Sequence, residues 1–164
     1  MGMTPDPSDK FTTPRLASGV LFVDDDRIFL VRKTYGNRWD IPGGYVDRGE
    51  SPASACEREI REELGLNRTI RRLLIHDWAP SDAEGDKILY IFDCGELGPD
   101  EERIRLDGIE IDRIQWVAIG DLARFVIPRL VRRLTSAYRA YKSGEVLYLE
   151  HGQPAFNASG CAPP

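Results

Sequence analysis

Between Gly44 and Leu66 the chain reads G-Y-V-D-R-G-E-S-P-A-S-A-C-E-R-E-I-R-E-E-L-G-L, and its glutamates Glu59, Glu62 and Glu63 stand at helical spacing. At about 100° per residue they fall in a sector of about 100° on one flank of a helix. Ser51 is placed to cap that helix, Pro52 to open it and Gly65 to end it in a left-handed turn. The spacing predicts about fourteen residues, or roughly four turns. Ala53, Cys56, Ile60 and Leu64 share an apolar face that is expected to pack inward.

Stability alone would not choose this acidic flank. Glu62 and Glu63 sit in the last turn, where the helix dipole favours cations by roughly 0.3–1 kcal/mol each. Like charges three and four residues apart repel by a few tenths of a kcal/mol more, which Arg58 and Arg61 offset only in part. A hard divalent cation with oxygen ligands relieves both costs. Mg2+ suits best, since it takes a few carboxylates, keeps waters and shares phosphate oxygens with a substrate. The charge pattern by itself would equally describe a solvated, salt-bridged helix face.

The surrounding residues favour the first reading. The run resembles the Nudix box, G-x5-E-x7-R-E-U-x-E-E-x-G-U with U apolar, and Gly44, Glu50, Arg58, Glu59, Ile60, Glu62, Glu63, Gly65 and Leu66 meet every specified position. Nine positions at fixed offsets are far more specific than a lone glycine motif. The resemblance implies a Nudix hydrolase, a Mg2+-dependent enzyme with Mn2+ as a substitute, that cleaves the diphosphate of a nucleoside diphosphate linked to another group by metal-activated water attack. Carried over by position, it implies a metal set of Gly44, Glu59, Glu62 and Glu63. It also implies support from Glu50, and an Arg58 that orients Glu59 or its neighbours by charge-assisted hydrogen bonds. The family does not fix the general base; Glu62 or Glu63, with a pKa raised by like-charged neighbours, is the expectation.

Three helix carboxylates rarely complete such a site. Glu110, six residues before Trp116, is the first candidate for a further metal ligand, with Asp112 and Asp107 behind it. Arg32, Lys33, Arg38 and Lys87 are the candidate phosphate contacts, arginine being favoured for bidentate binding. Trp39, tied to the box by W-D-I-P-G-G, is the candidate to stack on a base or sugar. His76 lies on a strand outside the box and is expected to be structural.

The elements that must position these residues read as an alternating α/β order. Strand-like runs are predicted over 16–23, 27–33, 69–77, 87–94, 104–106 and 113–118, a loop over 35–40, and a helix after Pro128. A mixed sheet flanked by helices follows, which the resemblance sharpens to the Nudix α/β/α sandwich. A chain of 164 residues fits one domain. It is expected at 14–156, with a disordered tail over 1–13 and a mobile one over 157–164. Three cysteines without a C-x-x-C spacing argue against a disulfide framework or zinc site. The first residues lack a signal-peptide pattern, so a cytoplasmic location is expected. A net charge of −5 argues against broad binding to nucleic acid or anionic membrane. The expected partner is a small nucleotide-type substrate, with no membrane and no extended nucleic acid. A homodimer, common in the family, is compatible with the sequence. The alternative function is a catalytically silent nucleotide-binding regulatory module of the same fold.

Overall fold

The computed structural model describes residues 10–156, so most of the expected tail at 1–13, the whole of that at 157–164, and Cys161 lie outside the described residues. Ten strands and two α-helices follow in order: β1 (Arg15–Leu21), β2 (Val23–Asp24), β3 (Arg27–Lys33), β4 (Arg38–Asp40), β5 (Gly43–Tyr45), α1 (Pro52–Leu64), β6 (Arg72–Trp78), β7 (Lys87–Asp93), β8 (Ile111–Ala118), α2 (Pro128–Ser143), β9 (Leu147–Glu150) and β10 (Gln153–Pro154). A six-stranded mixed sheet runs β10-β9-β6-β7-β1-β5, with β1/β7 and β6/β9 parallel. A second sheet is built on β3, which pairs with β2, β4 and β8.

Side-chain alternation along the strands assigns the two faces. Val20, Phe22, Phe29 and Val31 pack with Ile60 and Leu64 of α1. Their neighbours Leu21, Ile28 and Leu30 pack with Leu130, Leu134, Ala137 and Ala140 of α2. The helices therefore cover opposite faces, an α/β/α sandwich. Ile60 and Leu64 are fully buried, each contributing roughly 1.5–3 kcal/mol by burial.

The expected caps of α1 are present. Ser51 Oγ accepts from Ser54 N–H at 3.1 Å, and Gly65 at φ 69° donates to Arg61 C=O. The helix is 13 residues long. Its buried face holds Ala55, Cys56, Glu59, Ile60, Glu63 and Leu64, so Ala55 takes the place expected for Ala53, which lies in the half-exposed first turn. The expected strand at 104–106 does not form. This segment instead follows a 3-10 turn over 98–103, and Arg105 N–H bonds Leu64 C=O just past the end of α1. Part of the expected loop at 35–40 is the strand β4, and β9 and β10 had no expectation. No helix among the described residues is long and apolar enough to cross a membrane.

Candidate active site

The site begins at two glycines. In β5, Gly43 and Gly44 lie opposite Gly19 and Ser18 of β1. Gly43 has φ 146°, and a Cβ there would stand 2.2 Å from Ser18 C=O, so only glycine fits. A Cβ on Gly44 would stand 2.3 Å from Glu59 Oε1. Bare backbone thus lets the carboxylates of α1 rest on the loop: Glu59 lies against Gly44, and Glu63 Oε2 accepts from Gly43 N–H at 3.0 Å.

One arginine organises the acidic flank. Arg58 Nη1 donates to Glu59 Oε1 at 2.8 Å and to Glu62 Oε2 at 2.9 Å. Its Nη2 donates to Glu50 Oε1 at 2.7 Å and to Tyr45 C=O at 3.0 Å. The planar guanidinium fixes three carboxylates and the loop backbone at once, a geometry that an ammonium could not copy. Arg58 is therefore both the orienting residue and the i,i+4 partner of Glu62. Glu50 Oε1 also accepts from Asp47 N–H at 2.8 Å. The Arg58 hydrogen bond, helped by that N–H, holds the Glu50 carboxyl below its ordinary range.

The three glutamates are not equivalent. Glu59 and Glu63 are 8% and 1% exposed, whereas the Glu62 side chain is 58% exposed. Burial raises the pKa of Glu59 against the pull of Arg58. It raises Glu63 further, to about 7, against the pull of Lys33 and Gly43 N–H. The Lys33 ammonium is itself buried, bonding Glu63 Oε1 and, at 3.2 Å, Gly43 C=O. Burial would lower its pKa, but Glu63 reverses this and the ammonium stands above its ordinary value.

The structure separates the other expected contacts. Lys33 shares the α1 side of β3 with Phe29 and Val31, and it is committed to Glu63 and not open as a phosphate contact. Arg32 points to the opposite face and forms a two-pronged ion pair with Asp112, which occupies both residues. Lys87 pairs with Glu84 at 2.5 Å on β7. Trp39 is half-buried and packs edge-to-face with Phe125, ring centroids 5.9 Å apart, against the α2-side core. Arg38 is exposed on β4. Asp107 accepts three backbone N–H groups, from Ile109, Glu110 and Ile111, and so shapes its own turn. Glu110 is exposed in that turn, and its C=O accepts from Thr34 N–H at 2.8 Å, beside the Lys33 end of β3. His76 packs between Tyr90, tilted to it, and Tyr148, edge-on to it, outside the acidic flank. Sequence reasoning missed Glu84, which bonds Tyr45 Oη and so ties the β6–β7 turn to the glycine loop. Nothing in the turn sequence P-S-D-A-E-G marks it out.

Among the described residues no three His, Cys, Asp or Glu side chains form a group that could hold a metal as they stand. Glu63 is drawn to Lys33, and Glu59 and Glu62 are drawn to Arg58. The donor set still suits a hard divalent cation: every donor is a carboxylate oxygen, and Glu59 sits in a cradle that a Gly44 Cβ would fill. Glu59, Glu62 and Glu63 would hold such an ion once Arg58 and Lys33 share their oxygens.

The profile of the NUDIX domain matches residues 13–140. The chain belongs to the Nudix family, whose hydrolases generally use a divalent metal. It is 32% identical over 128 residues to an ADP-ribose pyrophosphatase of Bacillus subtilis (strain 168), covering 74% of this chain and 68% of that protein. It is 30% identical over 119 residues to an RNA pyrophosphohydrolase of Halorhodospira halophila, covering 60% of this chain and 64% of that one. The crystal structure of a UDP-X diphosphatase matches with a TM-score of 0.65 at 24% identity, over 87% of this chain and 70% of the other. That of an ADP-ribose pyrophosphatase from Streptococcus suis 89-1591 matches with a TM-score of 0.63 at 20% identity, over 84% and 99%. At these identities the structural likeness establishes the fold.

Proposed function

We propose that the protein is a Mg2+-dependent pyrophosphohydrolase that cleaves the diphosphate of a nucleotide-type substrate, with a nucleoside diphosphate linked to a sugar as the first candidate. The observation that carries this is the seating of two buried carboxylates, Glu59 and Glu63, on consecutive glycines of the loop, with Arg58 aligning the third. Burying two acids side by side has a cost that folding does not require, and a cation used in chemistry accounts for it.

When bound, Mg2+ would acidify the attacking water and neutralise charge developing on the diphosphate oxygens. The protein supplies the rest. Glu59 and Glu63 would be the buried ligands, and Gly43 N–H keeps Glu63 aimed at the loop. Glu62 is the solvent-facing member; Arg58 holds its Oε2, which leaves Oε1 to accept the proton of the attacking water. Arg58 and Glu50 lock the loop from Tyr45 to Glu50 against the helix. Arg38, exposed on the strand that leads into the loop, is the remaining candidate phosphate contact, and Glu110 the remaining further ligand.

The name of one relative, an ADP-ribose pyrophosphatase, puts ADP-ribose first, ahead of other nucleotide sugars, dinucleotides and nucleoside triphosphates; that of the other, an RNA pyrophosphohydrolase, adds RNA at the end of the panel. A single domain over 14–156 working in the cytoplasm fits this reading. The test is product analysis on that panel with Mg2+ present or chelated. Cleavage of ADP-ribose to AMP and ribose 5-phosphate, abolished by chelation, is the expected result. Tight binding of a panel member with no cleavage of any would support the regulatory module instead.

A further inference from the structure

Both oxygens of Glu63 are hydrogen-bonded. Its Oε1 is bonded by the Lys33 ammonium and its Oε2 by Gly43 N–H at 3.0 Å. Both charged groups are more than nine-tenths buried, Lys33 at 8% exposed and Glu63 at 1%. Lys33 Nζ also donates to Gly43 C=O at 3.2 Å, which closes a ring of lysine, glutamate and glycine. The fold builds this pair deliberately. Phe29, Val31 and Lys33 alternate onto the α1 side of β3, and a register shift against β8 falls between Arg32 and Lys33 at the end of the strand.

A metal ion that shares Oε1 with the ammonium meets a full positive charge at short range. A peptide N–H on Oε2 is neutral and leaves lone-pair capacity, but the ammonium brings a full positive charge to the same carboxylate. We propose that Lys33 is an internal counter-cation that competes with the divalent metal for Glu63 and thereby weakens metal binding in the substrate-free protein. It is a positioning residue acting through Glu63, and the inference rests on the hydrolytic reading of the Glu59–Glu63 site. The arrangement keeps a buried carboxylate paired and the glycine loop closed on α1. It also makes ion entry conditional on the lysine giving way.

The test is Mn2+ binding to the full chain without substrate, followed by electron paramagnetic resonance of the free ion at pH 8. Proteins compared are the wild type, Lys33→Met, Lys33→Gln, Lys33→Arg, Glu63→Gln and the double variant Lys33→Met/Glu63→Gln. Removing the charge is expected to tighten Mn2+ binding at least about tenfold. Lys33→Arg, which keeps the charge, should stay within about threefold of wild type. In the Glu63→Gln background the Lys33→Met change should have no effect, since the competition runs through that carboxylate. Lys33→Gln carries the same expectation as Lys33→Met while offering Glu63 a neutral N–H, so it serves if the methionine variant does not fold. Equal or weaker binding in a folded neutral variant overturns the inference and leaves the metal site standing. Mn2+ binding that is the same in wild type and Glu63→Gln overturns the hydrolytic reading, and the inference with it.

Discussion

The two helices are built alike and bury charge differently. Each opens with a proline at its first position, closes on a left-handed glycine and covers one face of the sheet. Helix α2 buries Arg133, whose Nε donates to fully buried Asp77 at 2.5 Å, while Gly152 N–H donates to the other Asp77 oxygen at 3.1 Å. One cation meets one anion, every oxygen is bonded, and α2 is pinned to β6 and to the β9–β10 turn. Helix α1 buries two anions on one flank and borrows its cations, Arg58 from its own turn and Lys33 from β3. A matched buried pair serves the fold. On the proposed reading, like charges gathered at a glycine loop serve chemistry, their repulsion being relieved by a bound cation.

This contrast can be broken where it is strongest. Glu62→Gln and Glu63→Gln should each reduce metal-dependent turnover at least about 10²-fold; the exposed Glu62→Gln should keep the melting temperature within a few degrees of wild type, whereas Glu63→Gln, which leaves the buried Lys33 ammonium a neutral partner, should lower it. Steady-state rates and thermal scans on the same samples check this. The opposite pattern is expected on α2: Asp77→Ala strands the Arg133 charge and should cost about 3–5 kcal/mol of stability, measured by urea unfolding. Its turnover under folded conditions should stay within about threefold of wild type, since the Asp77 carboxylate bonds Arg133 and Gly152, outside the glycine loop.

Smaller effects sharpen the comparison. Gly44→Ala would bring a Cβ to 2.3 Å from Glu59 Oε1. Because the clash is with a side-chain end, the fold should survive while Glu59 is displaced. Turnover should drop about 10–100-fold, as a misplacement near 1 Å does elsewhere. An unchanged rate would show that Glu59 is not held where it matters. Smallest is a pH effect. The Glu63 carboxyl stands at about 7, against an ordinary 4.5, because burial outweighs Lys33. The folded chain keeps a proton that the unfolded chain has lost, so the stability from this group is present below about pH 4.5 and lost as pH rises through 7. Without divalent metal, the difference in stability between wild type and Glu63→Gln should drift in that direction over this window.

What the sequence made legible follows from how local each interaction is. The limits of α1 were readable because Ser51, Pro52 and Gly65 act within a turn of themselves. Arg58, Glu59 and Glu62 could be grouped because helix spacing alone brings them together. The pairing of Lys33 with Glu63 joins a strand to a helix 30 residues later, and no local rule predicts it; β3 alternation could place Lys33 on a face but not on a partner. Arg32 and Asp112 are 80 residues apart and meet only through the β3–β8 register. Asp107 looked like a site acid, yet it spends its oxygen on the N–H groups of its own turn. The short strands β9 and β10 carry too few residues for a period to show.

The most direct test of the acidic flank as a divalent metal site is calorimetric titration of Mg2+ into the wild type and into Glu59→Gln/Glu63→Gln near pH 7, in two buffers of different ionisation enthalpy. Binding near pH 7 should release a fraction of a proton, because burial raises the Glu63 carboxyl to about 7 and a bound cation would favour its ionised form. It should weaken at least about 10²-fold in the double variant, more than the roughly 10–100-fold that loss of a partner outside the ligand set costs. Equal affinity in the two proteins, with no proton release in either, would contradict the assignment of Glu59 and Glu63 as metal ligands.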